Sequence, residues 1–352
     1  MRNHISSRAS SPNSPSPQNL QMKLGVAVVC MATVYCAAQF FRDSSDYNKG
    51  HEAYRRVDCT VASNYFDRVI NGWRIVDFGG LATRAQQEKS ECLAFKPVLE
   101  QEQKGNLGQA LVAYNGFLSD YKADSELVDA ARDRVKSLFA KNKPEKLATK
   151  SLCDNLKRLQ PDLIPESETT LPPLHFACGE TYTNLKDYNK AAVMYESFLD
   201  TYPDHALAPQ AKTAWAKTLV AQAKQEGAGN LPAPQRTGST GGGPPVVTIR
   251  NDSPEPMRIV FSGPEGRIEE LEACPTCQKY VGQGPKSCPN QGPVGNYTLK
   301  AGEYDVVVKS RGDKLVRPFK GTWSMNTGWT YTNCFYIVTR ANPEEQKSNP
   351  DR

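Results

Sequence analysis

The sequence predicts a multidomain α and β chain: an N-terminal transmembrane helix, an α-helical repeat domain and a C-terminal antiparallel β-sandwich. Three observations carry this expectation. An 18-residue run without a charged side chain, Leu24 to Phe41, lies between Lys23 and Arg42. A block of 34 residues beginning at Gly105 aligns without gaps to one beginning at Lys186, an offset of 81 residues (Tyr114 to Tyr195). Beyond a Gly- and Pro-rich stretch the apolar pattern changes from helical spacing to alternation.

Length and composition bound the rest. At 352 residues the chain exceeds one ordinary domain, and 39% hydrophobic residues suffice for packed cores. The net charge of +5 lacks the concentrated positive field of a nucleic-acid binder. Ten cysteines say more. Cys30 and Cys36 lie in the apolar run, which leaves an even set: Cys59, Cys92, Cys153, Cys178, Cys274, Cys277, Cys288 and Cys334. An even set outside a membrane segment fits disulfides in an oxidising compartment.

Residues 1–22 are rich in Ser, Pro, Asn and Gln and are expected to be a disordered cytoplasmic tail. Residues 23–42 are the expected signal anchor, since 18 helical residues span roughly 27 Å, enough for a hydrocarbon core. Arg2, Arg8 and Lys23 precede the run with no acidic residue among them. The positive-inside tendency therefore puts the N-terminus in the cytoplasm and the bulk of the chain on the far side of the inner membrane. A cleaved signal peptide is the competing reading, with Cys36 and Ala38 as small residues at suitable spacing.

Residues 43–224 read as helical, with apolar side chains recurring at three and four positions. The duplication lies within them. Ala110, Tyr114, Phe117 and Tyr121 recur as Ala191, Tyr195, Phe198 and Tyr202, so one helix pair is used twice. Each copy follows a cysteine pair, and the expected bridges are Cys59 to Cys92 and Cys153 to Cys178, with buried free thiols as the alternative. A basic stretch from Arg132 to Arg158 suits a solvated helix face or, as a second reading, an acidic partner, anionic lipid or envelope polymer.

The segment from His175 to Leu219 resembles a tetratricopeptide repeat. Gly179, Tyr182, Tyr188, Ala191, Tyr195, Phe198 and Pro203 stand where the 34-residue helix-turn-helix pattern has small, aromatic, aromatic, small, aromatic, bulky and Pro residues. It departs from that pattern at His175, where Trp is usual, at Cys178, where Leu is usual, and at Lys186, where Gly is usual. The array is similar to periplasmic helical-repeat proteins of bacterial envelopes, such as the Tol-Pal coordinator and the outer-membrane assembly lipoproteins. The resemblance implies stacked helix pairs and a groove for a protein partner, with Tyr182, Tyr188 and Tyr195 as candidate partner-binding residues.

Residues 225–245 combine Gly, Pro, Ser and Thr and are expected to be a flexible linker. Residues 246–340 follow as the β-domain. VVTIRN, MRIVF, YTLK, YDVVVKS and CFYIVTR alternate between turn-rich segments, and TLKAGEYDVVV should form a hairpin with Gly302 in the turn and Tyr304, Val306 and Val308 on one side. Residues 341–352 read as a disordered tail. With its repeats and anchor, the whole is similar to envelope proteins of actinobacterial and cyanobacterial type.

The four C-terminal cysteines admit three readings. Two disulfides suit an exported domain. Zinc would use Cys274-Pro-Thr-Cys277 as half of a ribbon, but Cys288 and Cys334 supply no second close pair. A redox pair at Cys274 and Cys277 would sit at a helix N-terminus after a strand, and no such pattern surrounds it. Asn251-Asp252-Ser253 and Asn296-Tyr297-Thr298 match the glycosylation pattern. The four histidines, His4, His51, His175 and His205, lack metal-ligand or general-base spacing.

The expectation is therefore a non-enzymatic, membrane-anchored scaffold of a bacterial cell envelope. It has no assigned catalytic, cofactor or metal residues, and it binds protein through the repeats and the membrane through residues 24–41. The alternative class is a redox or zinc-binding accessory protein working through Cys274 and Cys277.

Overall fold

The computed structural model describes residues 17–72, 77–121, 125–312 and 316–339, with the side chains of 17–30, 32, 78 and 161 outside that description. Mixed α and β structure fills these residues. Ten α-helices come first: α1 (Pro17–Arg55), α2 (Cys59–Asn71), α3 (Leu81–Gln103), α4 (Leu107–Asp120), α5 (Glu126–Lys141), α6 (Pro144–Leu147), α7 (Lys150–Asn155), α8 (Ser167–Asn184), α9 (Tyr188–Thr201) and α10 (Ala208–Gln225). Eleven strands follow: β1 (Gly229–Asn230), β2 (Gln235–Ser239), β3 (Val246–Asn251), β4 (Met257–Ser262), β5 (Gly266–Leu271), β6 (Tyr280–Val281), β7 (Val294–Thr298), β8 (Gly302–Ser310), β9 (Phe319–Met325), β10 (Trp329–Phe335) and β11 (Val338–Thr339).

Residues 17–22, expected in the disordered tail, belong to α1, and Pro17 suits a first helical position, where no backbone donor is missed. Residues 1–16 and the tail 341–352 lie outside the described residues, as do the side chains of 24–30 and 32 in the expected membrane span. Among the described residues, no helix is long and apolar enough to cross a membrane.

The duplicated blocks take the same secondary structure. α4 and α9 have matching bounds at the 81-residue offset, and α3 and α8 end at matching positions. The turns between them agree as well. Gly105 has φ +75 and its counterpart Lys186 has φ +59. In each, the next residue donates back across the helix end, Asn106 N to Gln101 O at 3.0 Å and Asp187 N to Tyr182 O at 2.9 Å. Such a left-handed turn satisfies the last helical carbonyls and favours glycine. The second copy makes it with lysine, and Asp187 then caps α9 by accepting from Lys190 N at 3.2 Å.

The chain divides into two compact units. The first comprises the described residues up to Asn106 with Ala113–Arg134. Phe66, Ala62 and Val69 from α2 and Ala85 and Phe95 from α3 are buried, together with Tyr114 and Phe117 from α4. The Cys59–Cys92 bridge joins α2 to α3 with Cα atoms 5.1 Å apart. Polar contacts tie α1 to α3: Tyr47 donates to Glu88 at 2.5 Å, His51 Nδ1 lies 3.0 Å from Glu88, and Tyr54 donates to the buried Glu91. Glu91 also accepts from Ser125 Oγ at 2.6 Å and Gln87 Nε2 at 3.2 Å, so its burial is compensated.

The second unit comprises Leu107–Val112 and the described residues from Val135 onward. It contains two principal sheets, ordered β1-β9-β8-β4-β5 and β2-β10-β3-β7. Ile259 and Phe261 of β4, Tyr304, Val306 and Val308 of β8, and Trp323 of β9 meet Val247, Ile249, Tyr297 and Tyr331 of the other sheet in one core. Burying each such side chain stabilises the fold by about 1.5–3 kcal/mol. Gly302 takes φ +146 at the start of β8, but the expected hairpin does not form. β7 pairs with β3 in one sheet and β8 with β4 and β9 in the other. The turn at Gly302 therefore carries the chain between sheets, which lets each strand bury its apolar side in the shared core.

The pairing is not purely antiparallel. β3 and β10 run parallel over Val246–Asn251, as do the short pairs β1 with β9 and β6 with β11. Parallel neighbours need a long connection, and β3 and β10 are separated by most of the domain.

The sheet containing β4 is covered on both faces. Val260 and Val307 point away from the first core and pack on Ala216, Leu219, Val220 and Ala223 of α10. Arg258 lies over the Trp215 ring at 5.2 Å and pairs with Glu196 of α9 at 3.1 Å and with Glu270. At Gly266 a Cβ would overlap the α10 backbone at Thr213, so helix and strand approach closely there. The expected linker, 225–245, contains β1 and β2. Leu231 is buried and donates to Lys320 O at 2.9 Å, and Pro232 O accepts from Trp323 Nε1 at 2.9 Å. Backbone pairing depends little on side-chain type, so a Gly- and Pro-rich stretch can add to sheet edges.

Candidate functional site

Helices α8, α9 and α10 enclose a groove of about 730 Å³. Its form follows from residue size. Gly179 of α8 faces Tyr195 of α9, where a Cβ would come within 2.5 Å of the ring, so only glycine allows this approach. Tyr195 packs on Phe176 with ring centroids 5.8 Å apart, and both rings line the groove. Glu180 and Thr183 of α8 and Thr213 and Lys217 of α10 supply its polar margin. Burial, with the charge of Glu145, pushes the Glu180 carboxyl above its ordinary value. Aromatic faces with one acid and one base at the edge can hold an apolar side chain and pair with charge of either sign.

A second constellation staples this region. Cys153 of α7 is bridged to Cys178 of α8 with Cα atoms 5.4 Å apart. Beside it Asp154 accepts from Lys150 Nζ at 2.7 Å, Lys190 Nζ at 2.6 Å and Tyr182 Oη at 2.7 Å. These three donors, Lys150 foremost, hold the Asp154 carboxyl well below the usual carboxylate range. Three helices thus converge on one side chain.

The three candidate tyrosines have separate surroundings. Tyr182 is buried, with its hydroxyl on Asp154 and Lys190 over its ring at 5.3 Å. Tyr195 is buried and presents an edge to the groove. Tyr188 is half-buried at the first position of α9. They do not form one surface, because helical spacing directs the aromatic repeat positions toward the packed interior.

In the β-domain Cys274 pairs with Cys277, and Cys288 with Cys334, at Cα separations of 5.3 and 6.1 Å. With each sulfur bonded to another, none of the four offers a zinc thiolate. Among the described residues Cys36 is the free cysteine, and no group of three or more His, Cys, Asp or Glu side chains gathers as a metal site.

The residue that sequence reasoning missed here is Asp252. It is buried and accepts from the backbone N–H groups of Asn290, Gln291 and Gly292 at 3.2, 2.8 and 2.7 Å. Its neighbour Asn251 is also buried, donating to Glu255 O at 2.9 Å and Glu272 O at 2.7 Å. The glycosylation pattern at Asn251 is therefore enclosed in the fold, whereas Asn296 is exposed on β7. Three consecutive polar residues after an alternating strand were the available signal.

No protein-family model matches the chain, and no curated protein sequence matches it.

Proposed function

We propose that this chain is a non-enzymatic scaffold that holds a protein partner in the α8–α9–α10 groove of a tetratricopeptide-like helical repeat. The observation that carries the reading is the groove itself, with Phe176 and Tyr195 as apolar floor and Glu180 and Lys217 at its edge. An extended or helical peptide matches such a lining better than a small polar metabolite does, because the polar groups stand at the rim. Four disulfide bridges favour an oxidising compartment. The uncharged run 24–41 and its basic N-terminal flank favour an inner-membrane anchor with the bulk of the chain outside the cytoplasm. Placement in a bacterial envelope rests on the helical-repeat resemblance, and the two-sheet domain reads as a β-sandwich module of the same protein.

The test is site-specific photocrosslinking in cells that express the full chain. A crosslinker at Glu180 or Thr213 should capture one discrete protein, and a crosslinker at exposed Asn296 should not. Equal capture at both kinds of position, or none in the groove, would refute the assignment.

A further inference from the structure

Two cavities meet on the flank of α9. The smaller, about 270 Å³, is walled by Leu156, Leu159, Ile164, Leu171, Met194 and Tyr202. The larger, about 470 Å³, carries Lys157, Arg158 and Lys190 against the single carboxylate of Asp154. Lys157 and Met194 line both, so an apolar hollow opens directly beside a cationic one. Neither shares a lining residue with the groove proposed for protein binding.

We propose that these paired cavities bind a single-chain amphiphile with an anionic head, its alkyl chain in the smaller and its head against Lys157 and Arg158 in the larger. Charge selects the head. Lys190 is already held by Asp154, whereas Lys157 has no carboxylate at ion-pair distance among the described residues. Volume selects the chain. At about 30 Å³ for each carbon- or water-sized group, the smaller cavity holds about nine such groups, more than twice what a leucine side chain of a docked peptide would fill. Burial argues against a bilayer surface as the ligand, because Leu156 and Ile164 are buried and Leu159, Leu171, Met194 and Tyr202 half-buried, so these walls present no exposed apolar side chain to a flat headgroup layer.

The wall chemistry agrees. His175 and Tyr202 are the ionisable groups lining the alkyl cavity besides Lys157; burial raises the Tyr202 phenol, and His175 is buried with no hydrogen-bond partner at Nε2. Burial foremost, then the Lys157 charge, pulls its pKa down to about 4, so the imidazole is neutral near pH 7. An uncharged wall leaves the electrostatic bias on the ligand to the mouth, where three cations outnumber the Asp154 carboxylate.

Calorimetric titration of the full chain with hexanoate, octanoate and decanoate, each below its micellar concentration, tests the proposal. Affinity should rise about fourfold per added methylene, and decanol should bind at least tenfold more weakly than decanoate. Lys157→Glu, at an exposed position, should weaken decanoate at least tenfold at low salt. Ser197→Phe, which fills the smaller cavity, should abolish the chain-length dependence, with an unchanged far-ultraviolet spectrum as the folding control. The proposal is overturned by absent binding, by affinity independent of chain length, by an unaltered affinity in both variants, or by tighter binding of an Asp-Leu peptide than of decanoate. None of these outcomes bears on the groove.

Discussion

Removing the Cys153–Cys178 bridge should loosen the helical site more than any other single covalent change in that region. The bridge spans a sequence separation of 25 residues and ties α7 to α8. Closing a loop of that length lowers the entropy of the unfolded chain, worth about 3.5 kcal/mol at 25 °C in the chain-entropy model. For a unit of this size that corresponds to a melting point about 7–14 °C lower. The same relation gives only about 1.6 kcal/mol for Cys274–Cys277, which are three residues apart. The experiment compares the paired variants Cys153→Ala/Cys178→Ala and Cys274→Ala/Cys277→Ala with the parent by urea unfolding, followed by circular dichroism. Paired alanines avoid leaving a reactive thiol. A loss below about 1 kcal/mol for the helical bridge, or a larger loss for the short one, would refute the reasoning. α7 also carries Asp154, so amide exchange over residues 150–158 should accelerate in the first variant and not in the second.

Three further outcomes follow from single residues. Lys186→Gly should stabilise the fold by about 1 kcal/mol, because a left-handed lysine at φ +59 gives way to a residue that adopts this geometry freely; thermal unfolding measures it. Asp252→Ala should cost about 3–5 kcal/mol, since three backbone donors lose a charged acceptor and the loop at 290–292 loses its anchor; denaturant unfolding reports the cost, and faster exchange at Gln291 and Gly292 locates it. For Asp154 the folded pKa is depressed, so its contribution is fully present above the unfolded value near 4 and is lost as pH falls toward the folded one. The stability gap between the parent and Asp154→Asn should therefore be constant above about pH 5 and shrink below pH 4. It should not exceed about 1 kcal/mol, because the group is largely exposed and screened, and salt should narrow it.

Local pattern accounts for much of the molecule. Aromatic and alanine residues at three- and four-residue spacing specify helices, and their recurrence after 81 residues sets the matching bounds of α4 and α9. Tyr304, Val306 and Val308 recur at every second position, which marks one face of β8 as buried. The candidate site was legible only in part. Tyr195 does line the groove, but the sequence alone could not separate its groove edge from its buried face, and Tyr182 proved to be directed at Asp154. Asp154 reads in the sequence only as one of a few acidic residues within a basic stretch, and its role was hidden because two of its partners, Tyr182 and Lys190, are remote in sequence.

What the amino-acid order determined by itself is thus which segments are helix or strand and which side of each is apolar, since these depend on neighbours within a few positions. Only the tertiary structure decided what meets each apolar side. Val260 and Val307 read as ordinary strand residues, yet they form the seat for α10. Gln235–Ser239 reads as linker, yet it pairs with β10, and β3 lies parallel to β10 from the far end of the domain. The physical reason is that burial and backbone pairing are satisfied by whatever surface the folded chain brings within reach, and that choice is made between segments remote in sequence.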